Sequence, residues 1–123
     1  MWEQLIQQSQ YKSIADFIVA QARHESANLS SHLAIHAHNI FGFKTYRHTP
    51  FEVPESEKKS GDPNYYMTFE DLEECAQYMI DWLQRHGIQP KPMTLDKYVE
   101  RLYAAKFFTD SPTNYRNGLS RYL

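Results

Sequence analysis

Ser13-Ile-Ala-Asp-Phe-Ile-Val-Ala-Gln-Ala-Arg-His-Glu25 is the stretch on which the fold turns. At about 100° per residue, Ile14, Phe17, Ile18, Gln21 and Ala22 gather on one side of a helix, and Glu25 falls among them. The spacing predicts an amphipathic helix that runs to about Asn28 and aims a carboxylate at its core-facing side. Ser13 and Asp16 have the spacing of a capping box that would start it. Glu is almost never fully buried without a partner, and apolar surroundings raise its pKa by penalising the charged form. The negative end of the helix dipole acts in the same direction. A carboxyl held protonated near neutrality is what general-acid chemistry needs. The position equally suits a structural Glu, paired with Arg23, Lys44 or Arg47 or capping a backbone group, and helical geometry does not choose between the two roles.

Working outward, Ser30 or Ser31 caps a second, short helix through about His36. Asn39-Ile-Phe-Gly-Phe-Lys44 breaks the helical period and reads as a turn into extended chain. Residues 45–67 carry Pro50, Pro54, Gly61 and Pro63 with a charged run from Glu55 to Lys59, and form a long irregular segment or a loose hairpin. Segments of that length inside a domain are usually functional or mobile. Tyr65-Tyr66-Met67 reads as a short strand. Thr68-Phe-Glu-Asp71 has capping-box spacing before a helix that runs to about His86 and stops at Gly87. Thr94 caps a further helix with Leu95, Tyr98, Val99, Leu102 and Tyr103 on one face. Ser111 with Pro112 starts the last one, which carries Tyr115, Leu119 and Tyr122. The sum is an α+β chain, mostly α, with a long excursion between the second and third of these helices.

The chain has 123 residues, the size of one domain with a core of its own. Seven Phe, nine Tyr and two Trp suit both a packed core and a cleft lined by rings. A formal net charge of −2 argues against phosphate-backbone binding, so nucleic acid is not an expected partner. The single cysteine, Cys75, excludes an internal disulfide and a cysteine-rich zinc site. His32 and His36 are four apart with His38 behind them, but H-E-x-x-H is absent and no third ligand is evident, so no metal is expected. No stretch reaches the roughly 20 apolar residues of a membrane span. Residues 1–10 contain neither a basic region nor an apolar run of signal-peptide length.

The chemistry then narrows through particular motifs. Ala20-Gln-Ala-Arg-His-Glu-Ser26, Ser30 with Leu33-Ala34, and His38-Asn-Ile-Phe-Gly-Phe-Lys44 together resemble the signature of the glucosaminidase domains of glycoside hydrolase family 73. Tyr66-Met-Thr-Phe-Glu-Asp-Leu72 resembles the family's entry to its next helix, and Phe107-Phe-Thr-Asp110 followed by Asn114-Tyr115 resembles its Y-A-T-D-P-x-Y stretch. The resemblance covers about residues 13–122. It implies a lysozyme-like fold, cleavage of the β-1,4 bond after N-acetylglucosamine in peptidoglycan, and no cofactor.

Carried over residue by residue, Glu25 matches the family's general acid. Ser26, Asn39, Phe41, Gly42, Lys44, Tyr66, Phe107 and Tyr115 match positions that shape or line the cleft. Two departures stand out. Phe107 falls where the family usually has a Tyr, so either Tyr115 or Tyr103 supplies the hydroxyl or the activity is lower. His38 replaces the first Asn of an Asn-Asn pair. Glycoside hydrolysis ordinarily needs a second carboxylate, roughly 5 Å away for retention or 6.5–9.5 Å for inversion. Glu52, Glu55, Glu57 and Asp62 are the candidates, unless the substrate's acetamido group serves instead; Asp110 reads as a cap. The expected partner is the peptidoglycan glycan strand, met by a monomer without membrane insertion. The chain would be made in the cytoplasm and delivered to the wall by phage or secretion machinery. The alternatives are a lytic transglycosylase or muramidase on the same fold, or a non-catalytic wall-binding or assembly module.

Overall fold

The computed structural model describes residues 1–45 and 65–123. Its described residues form helices α1 (Trp2–Gln7), α2 (Ala15–Glu25), α3 (His32–Ala37), α4 (Leu72–Arg85), α5 (Leu95–Ala104) and α6 (Pro112–Ser120), with strands β1 (Lys44–Thr45) and β2 (Tyr65–Tyr66). The fold is mostly helical, as expected. The strands pair antiparallel with Lys44 opposite Tyr66 and Thr45 opposite Tyr65, so the two ends of the long excursion lie side by side. Its interior, 46–64, falls outside the described residues, and so does the choice between hairpin and irregular chain.

Helix α2 is the pivot. Ile18, Ala20, Gln21 and Ala22 are fully buried, and the small alanines let α1 and α6 pack directly against it. Helix α4 contributes Cys75, Ala76, Met79, Ile80 and Leu83 to the same core, and α5 contributes Tyr98, Val99 and Leu102. The Tyr11 hydroxyl donates to Ile88 O at 2.6 Å, tying the segment before α2 to the chain that leaves α4. Tyr103, expected on the apolar face of its helix, is exposed, as is Tyr122.

Caps at Ser31, Thr94 and Ser111 accept the N–H three residues on, as the sequence predicts. Two others do not. Ser13 lies inside a 3-10 turn over Lys12–Ile14, which feeds α2 without a side-chain cap. At the head of α4 the cap is Asp71, accepting from Glu74 N, and the Thr68 hydroxyl is buried away from it. Helix α1 was not anticipated; it has no side-chain cap and forms by burying Trp2 and Ile6.

Helix α2 ends at Glu25 rather than near Asn28. Ala27, Asn28 and Leu29 all take left-handed backbone angles, with φ of 51°, 57° and 66°. Left-handed geometry disfavours residues with a Cβ. Ser26 over-determines it here. Its Oγ accepts from Leu29 N at 2.8 Å, and its carbonyl accepts from both Ser30 N and Ser31 N. Arg23 Nη1 donates to the Asn28 side chain as well. This knot brings the start of α3 back beside the end of α2.

Candidate active site

Glu25 is the last residue of α2, and the loop from Asn39 to Lys44 runs beneath its carboxylate. That loop is pinned by Asn39, which is buried. Asn39 Nδ2 donates to Phe43 O and Met67 O at 2.9 Å each, and its Oδ1 accepts from Phe43 N at 3.0 Å. Within the loop Gly42 has φ +73°, and a Cβ there would sit 3.7 Å from Glu25 Oε2. A side chain at 42 would therefore cover the acid as well as strain the backbone.

The surroundings raise the Glu25 carboxyl from its ordinary 4.5 to about 7. Burial is the main cause, and the Lys44 ammonium opposes it. Among the described residues no ion pair within 4 Å closes on Glu25: Arg23 is held by Glu3 at 3.3 Å and by Asn28. The Arg23 pairing considered from sequence is thus excluded, Lys44 acts at longer range, and Arg47 lies outside the described residues.

Two hollows meet at Glu25, Gly42 and Lys44. One, of about 320 Å³, continues past Ser31, His32, Leu33 and Tyr66. The other, of about 300 Å³, continues past His24, Phe107, Phe108, Thr109, Asp110 and Tyr115. Together they make a groove open to either side of the acid. The β1–β2 register brings Lys44 beside Tyr66, with Nζ 5.8 Å from the ring centre. A larger hollow, about 480 Å³ between α5 and α6, contains Tyr103 and an Arg116–Asp96 bridge of 2.6 Å, but not Glu25. Tyr103 therefore lines a different hollow from Glu25.

Tyr115 has the better placement. Its ring stacks on Phe108 at 3.9 Å and meets the edge of His24 at 5.1 Å. It is almost fully buried yet lines the groove. Burial raises the phenol well above its ordinary value, and the nearby Glu25 charge adds to this. Phe107 is a wall, with its ring against Phe43 at 5.9 Å and Trp82 at 5.0 Å.

Of the sequence candidates, Glu25, Gly42, Lys44, Tyr66, Phe107 and Tyr115 come together around the groove. Ser26, Asn39 and Phe41 are buried and line neither hollow: Ser26 organises the left-handed knot, Asn39 clips the loop, and Phe41 is core. Glu52, Glu55, Glu57 and Asp62 lie outside the described residues. Asp110 is in the groove, where its Oδ1 accepts from Ser111 N and Asn114 Nδ2. His38 bonds the Phe69 carbonyl through Nδ1 at 3.1 Å. The His32 and His36 rings lie 4.2 Å apart, and among the described residues no group of three metal ligands forms.

Sequence reasoning missed His24 as a groove residue. As the neighbour of Glu25 it leaves the helix in a different direction, but a groove with two arms takes residues from both. Burial lowers its pKa, as does the Arg121 charge, while Asp110 raises it. Its ring fills the space over Gly118, where an added Cβ would lie 2.2 Å from Cε1.

The chain matches the glucosaminidase family, described as mannosyl-glycoprotein endo-beta-N-acetylglucosaminidase, over residues 4–122. No curated protein and no solved structure matches it significantly.

Proposed function

This chain belongs to the glucosaminidase family of glycoside hydrolases, and from that premise we propose that it cleaves the β-1,4 bond after N-acetylglucosamine within peptidoglycan strands, with Glu25 as general acid. One observation carries the reading. A carboxyl raised to about 7 stands at the junction of two hollows, so a strand lying along both would cross it mid-chain. Protonated Glu25 donates to the departing glycosidic oxygen as the bond breaks, and the sugar passes through an oxocarbenium-like state. Lys44 keeps the carboxyl from rising further, which preserves a proton that can leave near neutral pH. Tyr115, buried in the wall of the hollow that holds Glu25, supplies beside the acid the hydroxyl that Phe107 lacks.

Stabilisation of the far side of the sugar falls to a carboxylate among Glu52, Glu55, Glu57 and Asp62, or to the substrate's own acetamido oxygen. Single Gln or Asn substitutions at these four sites separate the two routes. If all four variants retain the wild-type rate, the substrate-assisted route is left.

The test of the reading is digestion of purified peptidoglycan by wild type and Glu25→Gln with identification of new ends. Reducing N-acetylglucosamine ends in the wild-type digest support it. Reducing muramic ends would make the chain a muramidase, and anhydro-muramic ends a lytic transglycosylase. Retained binding to sacculi without cleavage would make it a wall-binding module.

A further inference from the structure

We propose that Gln21 is a positioning residue, fixing the direction of a buried hydrogen-bond chain from Tyr98 through Gln21 to Tyr115 so that the Tyr115 hydroxyl proton points toward Glu25. The inference rests on the reading of the Glu25 groove as the active site. Gln21 lies one helical turn before Glu25, on the same face of α2, and is fully buried. Tyr98, also fully buried, donates its hydroxyl proton to Gln21 Oε1 at 2.5 Å. That leaves the carboxamide nitrogen, which can only donate.

Gln21 Nε2 and the Tyr115 hydroxyl are both buried and, among the described residues, both lack a hydrogen-bond partner. Buried polar groups are costly to leave unpaired. The two belong to one neighbourhood, since the Gln21 amide acts on the Tyr115 phenol to favour its ionised form. Pairing them satisfies both, and it does so in one direction: Nε2 donates and the Tyr115 oxygen accepts. The Tyr115 proton is then free to point toward Glu25, which lines the same hollow. Turning the amide over would reverse this and aim the Tyr115 proton inward. It would also strip the Tyr98 proton of the acceptor it has. Phe108 and His24 hold the Tyr115 ring from two sides, so little except hydroxyl direction is left to set.

The test is a double-mutant cycle on peptidoglycan hydrolysis with folding monitored alongside. Tyr115→Phe should lower kcat about 100-fold with KM little changed, the loss typical of one transition-state donor. Gln21→Met, which keeps the length of the side chain, should lower kcat about tenfold. Because Gln21 acts through Tyr115, the double variant should be no slower than Tyr115→Phe within about twofold. Losses that multiply, or full kcat in Gln21→Met, overturn the proposal. If Gln21→Met does not fold, Tyr98→Phe replaces it with the same expectation. Independently of turnover, the Gln21 side-chain amide resonance should shift in Tyr115→Phe, and an unmoved resonance also overturns the proposal. An inactive wild type would sink the functional reading instead, with the resonance still deciding the hydrogen-bond chain.

Discussion

Glu25→Gln should make the protein more stable, and increasingly so as pH rises. In the folded state the carboxyl ionises near 7, against an ordinary 4.5. Between those values the unfolded chain has lost a proton that the folded chain still holds. Stability therefore falls with rising pH across that window, and the loss is complete above it. At about 1.36 kcal/mol per pH unit, the full difference corresponds to about 3.4 kcal/mol. Glu25 keeps partial contact with solvent, so about 2 kcal/mol is the realistic figure. Gln has nearly the shape of the protonated acid and cannot ionise. Wild type and variant should thus unfold alike at pH 4, while at pH 8 the variant should lead by about 2 kcal/mol. For a chain of this size that is a Tm difference of roughly 5–10 °C. Denaturation of both proteins at several pH values checks it. A difference that stays flat from pH 4 to pH 8, or a variant less stable at pH 8, would refute the claim that the carboxyl is strained by burial.

Three further outcomes follow from the same geometry. Lys44→Met removes the charge that holds the Glu25 carboxyl down, so the alkaline limb of the rate profile should move to higher pH. Gly118→Ala should destabilise by about 1–3 kcal/mol despite the better helix propensity of alanine, because the new methyl meets the His24 ring; in a His24→Ala background the loss should vanish. Ala27→Gly should stabilise by about 1 kcal/mol in urea unfolding, since glycine takes the left-handed angle at residue 27 without penalty.

The place of Glu25 at the end of α2 was legible because helical spacing puts it on the core side; the return of the Asn39–Lys44 turn beneath it was not, since no local pattern carries that contact. Helices α4 to α6 were legible for an analogous reason, since apolar period, stop signals and most caps point the same way. The two misread caps show the limit of short patterns. Ser13 has the right spacing but lies in a 3-10 turn, and Asp71 took the role assigned to Thr68 because it stands one residue before α4. Helix α1 has only six residues and no cap, so its stability comes from tertiary contacts that no local signal carries. The left-handed run at 27–29 opposes the intrinsic preference of Ala27 and Leu29, with Asn28 the one residue that tolerates it. It exists because Ser26 gathers three amides, and a pattern reading of Glu-Ser sees a site residue where there is a structural one. The Tyr98–Gln21 contact joins residues 77 apart, and no spacing rule reaches that far.

The central claim is that one carboxyl, raised by burial at the junction of a two-armed groove, protonates a sugar–sugar bond. It is tested most directly by digesting purified peptidoglycan with wild type and with Glu25→Gln, the latter shown to be folded by its higher stability at pH 8. New reducing N-acetylglucosamine ends from wild type, and at most about a thousandth of that rate from the variant, are the predicted result. Comparable release of such ends by a folded Glu25→Gln would contradict it.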